Sequence, residues 1–161
     1  MDLFGRDKGA VMSDCGAYRY ALWRTWEPTK PHCLFIGLNP STADAEIDDP
    51  TIRRCISFST RWGFGGLKMV NLFAVRATDP KDMMAHPRPI GAANDQTLRE
   101  AAAEAGVIVC AWGVGGGFLQ RDSVLVEMLR QYPLHCLGRT RDGKPRHPLY
   151  IRSDKELEPF P

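Results

Sequence analysis

Two kinds of periodicity divide the chain. Residues 17–26, AYRYALWRTW, alternate: Tyr18, Tyr20, Leu22 and Arg24 fall on one side, and Arg19, Ala21, Trp23 and Thr25 on the other. Aromatic residues at period two argue for a strand, and Pro28 and Pro31 end it. Residues 33–38, CLFIGL, are continuously apolar, as in a strand buried on both faces. Three further runs follow: KMVNLFAV at 68–75, VIVCAW at 107–112 and the short LHCL at 134–137. Between them lie helical patterns. Asp49 can cap a helix that starts at Pro50 and closes at Gly63, with Ile52, Cys55, Ile56, Ser59 and Trp62 on one face. Residues 94–105 are rich in helix formers, and a third helix is expected from about Phe118 to Tyr132. Arg76 to about Ile90 reads as a loop, the tail from Gly138 is loop-like with a candidate strand at Leu149–Arg152, and residues 1–16 read as loosely ordered.

Strands alternating with helices predict an α/β fold. The expectation is a single domain over 1–161, a three-layer α/β/α arrangement with a mainly parallel four-stranded central sheet. In such sheets ligands sit outside the carboxyl ends of the strands. The segments that follow the four core strands are Asn39–Thr42, Arg76, Trp112–Gly113 and the Gly138–His147 loop. They should converge on one edge.

Composition narrows the picture only slightly. The 161 residues are 43% hydrophobic and 25% charged, with a net charge of +2. This is ordinary for a globular protein, and it permits contact with nucleic acid without demanding it. The five cysteines include no C-x-x-C pair, so no zinc ribbon or disulfide framework is indicated, and Cys33, Cys110 and Cys136 read as reduced core residues. No apolar run approaches a membrane span, and the start of the chain lacks the long apolar stretch of a signal peptide. A cytoplasmic protein without membrane contact is expected.

Several residues carry candidate chemistry, each beside a plainer reading. Asn39-Pro40-Ser41-Thr42 suits a ligand site, and equally a turn that satisfies its own backbone. Asp48 and Asp49 form a carboxylate pair, but Asp49-Pro50 is a helix start, and capping is the better reading. Arg53 and Arg54 oppose the dipole there and call for a partner: Asp48, a phosphate or solvent. Asn71 lies inside an apolar strand, where its amide must find hydrogen bonds from a loop or from a ligand such as a base edge. Gly113–Gly117 before a helix resembles an anion cradle, but it lacks the lysine and spacing of a phosphate loop. Residues 139–148 hold Arg139, Arg141, Lys144, Arg146 and His147: a basic loop at the ligand edge, or a solvated surface loop. His147, next to Pro148, can donate to a developing anion. His135, in a short strand, reads as a satisfied core residue.

Five segments together resemble a bacterial family of small proteins of unknown function: Leu38–Ala43 (LNPSTA), Asp48–Arg54 (DDPTIRR), Val70–Ala74 (VNLFA), Ala111–Gly113 (AWG) and Gly143–Tyr150 (GKPRHPLY). Their layout also resembles, more distantly, the uracil-DNA glycosylase superfamily. Gly37-Leu38-Asn39-Pro40 is similar to the turn that follows the first core strand of those enzymes, closest to the G-I-N-P form of the mismatch-specific branch. Asn71 falls at their base-reading asparagine, Val109–Gly113 resembles their third motif, and His147-Pro148 their late H-P-S loop.

That resemblance implies a glycosylase-like fold and cleavage of an N-glycosidic bond of a base, modified or not, in DNA or a nucleotide, after the nucleotide is flipped into a pocket. Asn39 would orient the attacking water, and His147 would stabilise the leaving base. Asn71 would read the base, and Pro40, Ser41, Arg76 and Gly113 would line the site. Phe73, Trp112 or Phe58 would stack on the base. Arg139, Lys144 and Arg146 would hold phosphate. No metal or other cofactor is implied. The departures are an amide in place of a carboxylate at Asn39 and Leu149 where a serine is expected. An enzyme of free nucleosides or nucleotides, or a non-catalytic nucleic-acid-binding module, are the alternatives.

Overall fold

The computed structural model describes residues 6–161. Its centre is β3 (His32–Gly37), whose Cys33, Leu34, Phe35 and Ile36 are all buried. A strand apolar at every position needs cover on both faces, and β3 has it. β3 pairs in parallel with β4 (Gly66–Asn71) on one side and with β5 (Val107–Cys110) on the other. β6 (Leu134–Cys136) continues the parallel set beside β5.

The predicted four-stranded, mainly parallel sheet is too small. The sheet has seven strands in the order β1-β2-β4-β3-β5-β6-β7, and it is mixed. β2 (Arg19–Thr25) runs antiparallel to β4, β1 (Asp7–Met12) antiparallel to β2, and β7 (Glu158–Phe160) antiparallel to β6. Both missed strands are edges. An edge strand packs little side-chain surface, so β1, with Lys8 and Val11 in or near solvent, and β7, with Pro159 at its middle, carry no apolar signature. β1 also corrects the reading of residues 1–16 as loosely ordered; residues 1–5 lie outside the described part.

Apolar side chains on the two sheet faces meet different helices. Cys33, Phe35, Leu67, Met69 and Val109 pack with Ile52, Cys55 and Phe58 of α1 (Pro50–Arg61). Leu34, Ile36, Val70, Ile108 and Cys110 pack with Leu98 and Ala101 of α3 (Asn94–Glu104) and with Leu125 of α4 (Arg121–Met128). Each fully buried Val, Leu, Ile, Phe or Met among them contributes about 1.5–3 kcal/mol. The four buried cysteines carry free thiols, and burial pushes those of Cys33 and Cys55 up.

α1 begins as its sequence implies. Asp49 is the N-cap, its Oδ1 accepting from Ile52 N at 2.9 Å, and Pro50 takes the first turn. Other boundaries differ. The expected loop 76–90 contains the short helix α2 (Pro80–Ala85), capped by Asp79. The expected helix 118–132 is reduced to α4, because Leu119 and Gln120 have positive φ at the end of the 3₁₀ segment Gly113–Gln120. The candidate strand at Leu149–Arg152 is instead a 3₁₀ turn, Pro148–Tyr150. His135 is only half-buried, and its Nδ1 has no partner. Among the described residues, no helix is long and apolar enough to cross a membrane.

Candidate functional site

The parallel strands leave a cavity of about 390 Å³ at the carboxyl ends of β3 and β4. Gly37, Met69 and Asn71 form its floor, and Ala111 follows from β5. One wall is the loop after β3 with the start of α1; the other is His147–Leu149.

Asn71 is 3% exposed, and its Nδ2 has no partner. Its backbone is held from behind: Asn94 Nδ2 donates to Asn71 O at 2.9 Å and to Leu72 O at 3.0 Å, and Arg121 donates to Leu72 O through Nε and Nη2. Gly37 is its register partner, and a Cβ there would stand 2.7 Å from Asn71 Oδ1. Only glycine leaves the amide in place.

Asn39 uses its Nδ2 fully, donating to Ala77 O at 2.8 Å and to Pro40 O at 3.1 Å. Those bonds fix the amide plane and leave Oδ1 as an acceptor at the cavity. Ser41 Oγ lies 3.3 Å from Thr78 Oγ1, and both residues line the same space.

His147 accepts a hydrogen bond from Leu149 N at Nδ1, 3.2 Å. Burial holds its pKa below the ordinary value, opposed in part by the charge of Asp49. The imidazole is therefore neutral at pH 7, with its proton on Nε2, a donor.

Two cavity residues carry charge, Asp49 and Arg19. Asp49, read as a cap, does cap, but it also lines the cavity, and its Oδ2 accepts from Ala43 N at 3.3 Å. Arg19 is 2% exposed; its guanidinium donates from Nη1 to Ala43 O, and Nε has no partner. Burial pushes its pKa down to about 10, with Asp49 acting in the opposite direction, so it remains a cation. The strand alternation hid it. The β1–β2 register shifts between Val11 and Met12, which pair with Ala21 and Arg19, so Tyr20 is an extra residue. A bulge re-aims side chains beyond it.

The structure thus brings Asn39, Pro40, Ser41, Asn71 and His147 to one cavity. The remaining candidates lie outside its lining. Phe73 is fully buried against Phe118, Phe58 packs on Trp62 within the α1 core, and Trp112 is buried edge-on to Phe160. Among the described residues no tryptophan, tyrosine or phenylalanine lines the cavity, and Phe58, Phe73 and Trp112 are not in its lining. Arg76 instead staples the loop, donating to Ser41 O and Thr42 O. Gly113 packs behind His147 and donates to Pro145 O at 2.8 Å. The basic loop is tied to itself and its neighbours: Arg146 to Arg139 O, Arg139 to Pro159 O in β7, and Lys144 to Asp122 in α4 at 2.5 Å. Arg54 donates to Pro148 O and Ser153 Oγ, and Arg53 Nη1 donates to Asp48 O at 3.3 Å. The Asp48 carboxylate pairs with Arg24.

A family model described as "Protein of unknown function (DUF1643)" matches residues 19–149. The chain belongs to this family. The matched DUF1643 segment runs from Arg19 to Leu149, and so takes in every residue that lines the cavity. Comparison with curated proteins and with solved structures found no match.

Proposed function

We propose that this DUF1643 protein is a glycosylase-like enzyme that hydrolyses the N-glycosidic bond of a base, modified or not, in a nucleotide or in DNA. One observation carries the reading: Asn39, Asn71 and His147, which are 32 or more positions apart in the chain, line a single cavity. Each has the hydrogen-bonding state that its role needs. Asn71 offers a buried amide without a protein partner for Nδ2, suited to the edge of a base. Asn39 has its NH₂ committed and its carbonyl oxygen spare, which suits an acceptor that orients a water. His147 is neutral and presents Nε2–H, which can stabilise negative charge on a departing base. The volume lies within the range of small-molecule sites, roughly 300–1,000 Å³.

A free nucleoside or nucleotide as substrate is the second reading. It is favoured by the engagement of Arg139, Lys144 and Arg146 with Pro159 O, the Asp122 carboxylate and Arg139 O, which draws these three cations onto the protein and away from a duplex backbone.

The test is a substrate panel. The pure protein is incubated with single- and double-stranded oligonucleotides carrying uracil, mismatches or modified bases, and with free nucleotides. Released base and abasic sites are measured for the wild type and for Asn39→Ala, Asn71→Ala and His147→Ala. Abasic product that is lost in the variants supports DNA as substrate, and turnover of free nucleotides alone supports the second reading. Salt-sensitive binding without product would make the protein a non-catalytic binder and refute hydrolysis.

A further inference from the structure

Hydrolysis at this cavity needs a group to take the proton of the attacking water, and none of the three residues above can. The Asn39 amide does not titrate near neutrality. His147 accepts from Leu149 N at Nδ1 and carries its proton on Nε2, so it is a donor and not a base. Ser41 and Thr78 bond to each other, and a hydroxyl itself requires a base to act. Arg19 is a cation. Of the described residues that line the cavity, one has a carboxylate: Asp49.

Its surroundings fit more than a cap. Capping occupies Oδ1 with Ile52 N, and the longer contact from Ala43 N occupies one site on Oδ2. A carboxylate has about four acceptor sites, so roughly two remain free. Asparagine or serine would cap α1 equally well. Asp49 is also 7% exposed, and the nearby Arg19, buried with an unpartnered Nε, attracts it. An anion so placed is desolvated and held rigidly by two backbone donors. The other titratable groups that sense it are His147, across the cavity, and Cys55, six residues along α1.

Resting on the proposed glycosidic reaction, we infer that Asp49 is the catalytic base of this site. The oxygen of a water held between Asn39 Oδ1 and Asp49 forms a bond to the sugar carbon as the carbon–nitrogen bond breaks. The electron pair of the broken bond leaves on the base, where His147 Nε2–H meets it. The water's proton passes to Asp49, which afterwards returns it to the base or to solvent. One water is consumed, and the products are the free base and the sugar hydroxyl.

The decisive experiment compares wild type, Asp49→Asn, Asp49→Ser and Asp49→Gly on uracil- and hypoxanthine-containing oligonucleotides and on the matching deoxynucleoside monophosphates. Asn and Ser keep the helix cap, so the fold should persist while kcat falls at least about 100-fold, the usual contribution of a positioned base. Added formate should restore turnover to Asp49→Gly and not to an Asn39→Gly control, which a purely structural aspartate would not allow. If Asp49→Asn or Asp49→Ser, correctly folded, keeps more than a tenth of wild-type kcat, or if formate gives no rescue, Asp49 is a cap only. If the wild type releases no base from any of these substrates, the glycosidic reading itself fails, and the assignment of Asp49 falls with it.

Discussion

Replacing Asn71 with leucine separates stability from function in one substitution. The amide is 3% exposed, and its Nδ2 has no hydrogen-bond partner. A buried donor left unmet costs about 1–3 kcal/mol. Leucine has the same branched outline and no polar atoms, so the cost disappears; Gly37 already leaves room above the side chain, where a Cβ would stand 2.7 Å from Oδ1. Asn71→Leu should therefore be as stable as the wild type or more stable, by up to about 3 kcal/mol. At roughly 2–4 °C per kcal/mol for a chain of this size, Tm should rise by up to ~10 °C. The same variant should lose base release and base binding, since no group is left to read the edge. Thermal and urea denaturation measure the first effect, and the substrate panel measures the second. A loss of more than about 1 kcal/mol would mean that the amide is satisfied in the native state and serves the fold. Retained base release would refute its part in recognition.

Three other outcomes follow from the same geometry. Gly37→Ala drives a methyl against Asn71 Oδ1 and toward Met69 Sδ at 3.5 Å, so it should cost about 1–3 kcal/mol and reduce base binding even where the fold survives; calorimetry and the panel check both. Arg24→Ala removes the guanidinium that bonds the Asp48 carboxylate and the carbonyls of Asp44 and Ile47, and should cost about 1.5–3 kcal/mol, with hydrogen exchange rising at Asp44–Ile47. Unchanged exchange there would show that the loop does not depend on this clamp. His147 titrates below its unfolded value because burial disfavours the charged ring. Its contribution to stability is thus fully present above the unfolded pKa of about 6.5 and is lost as pH falls from there through the folded pKa. An NMR titration midpoint at or above 6.5 would contradict this, and His147→Gln should flatten that part of the pH–stability curve.

What could be read from sequence depended on burial. β3, β4 and β5 are apolar on both faces and stood out; β1 and β7 lie at edges, pack on few neighbours and did not. α1 was legible because Asp49, Pro50 and Gly63 mark its ends. α4 was overextended because the turn at Leu119 and Gln120 uses positive φ without glycine, which leaves no mark in the composition. At the site, Asn39, Asn71 and His147 were visible as polar residues in or next to apolar strands and prolines. Arg19 was not, because a bulge at Tyr20 breaks the alternation used to place it. Asp49 had a sufficient role as a cap, which concealed its position in the cavity. The basic loop was placed at the ligand edge by strand order, and the three aromatic candidates came from the glycosylase resemblance; neither shows that Lys144 meets Asp122 or that Trp112 meets Phe160.

The central claim is that two amides and an imidazole serve one bound base. A two-dimensional NMR titration with free uracil, and separately with hypoxanthine, tests it most directly, following the side-chain amides of Asn39 and Asn71 and the ring of His147. The expected result is that all three signals move together, saturate with one dissociation constant, and fail to move in Asn71→Leu. Signals that shift independently, or a response confined to residues outside the cavity, would contradict the account.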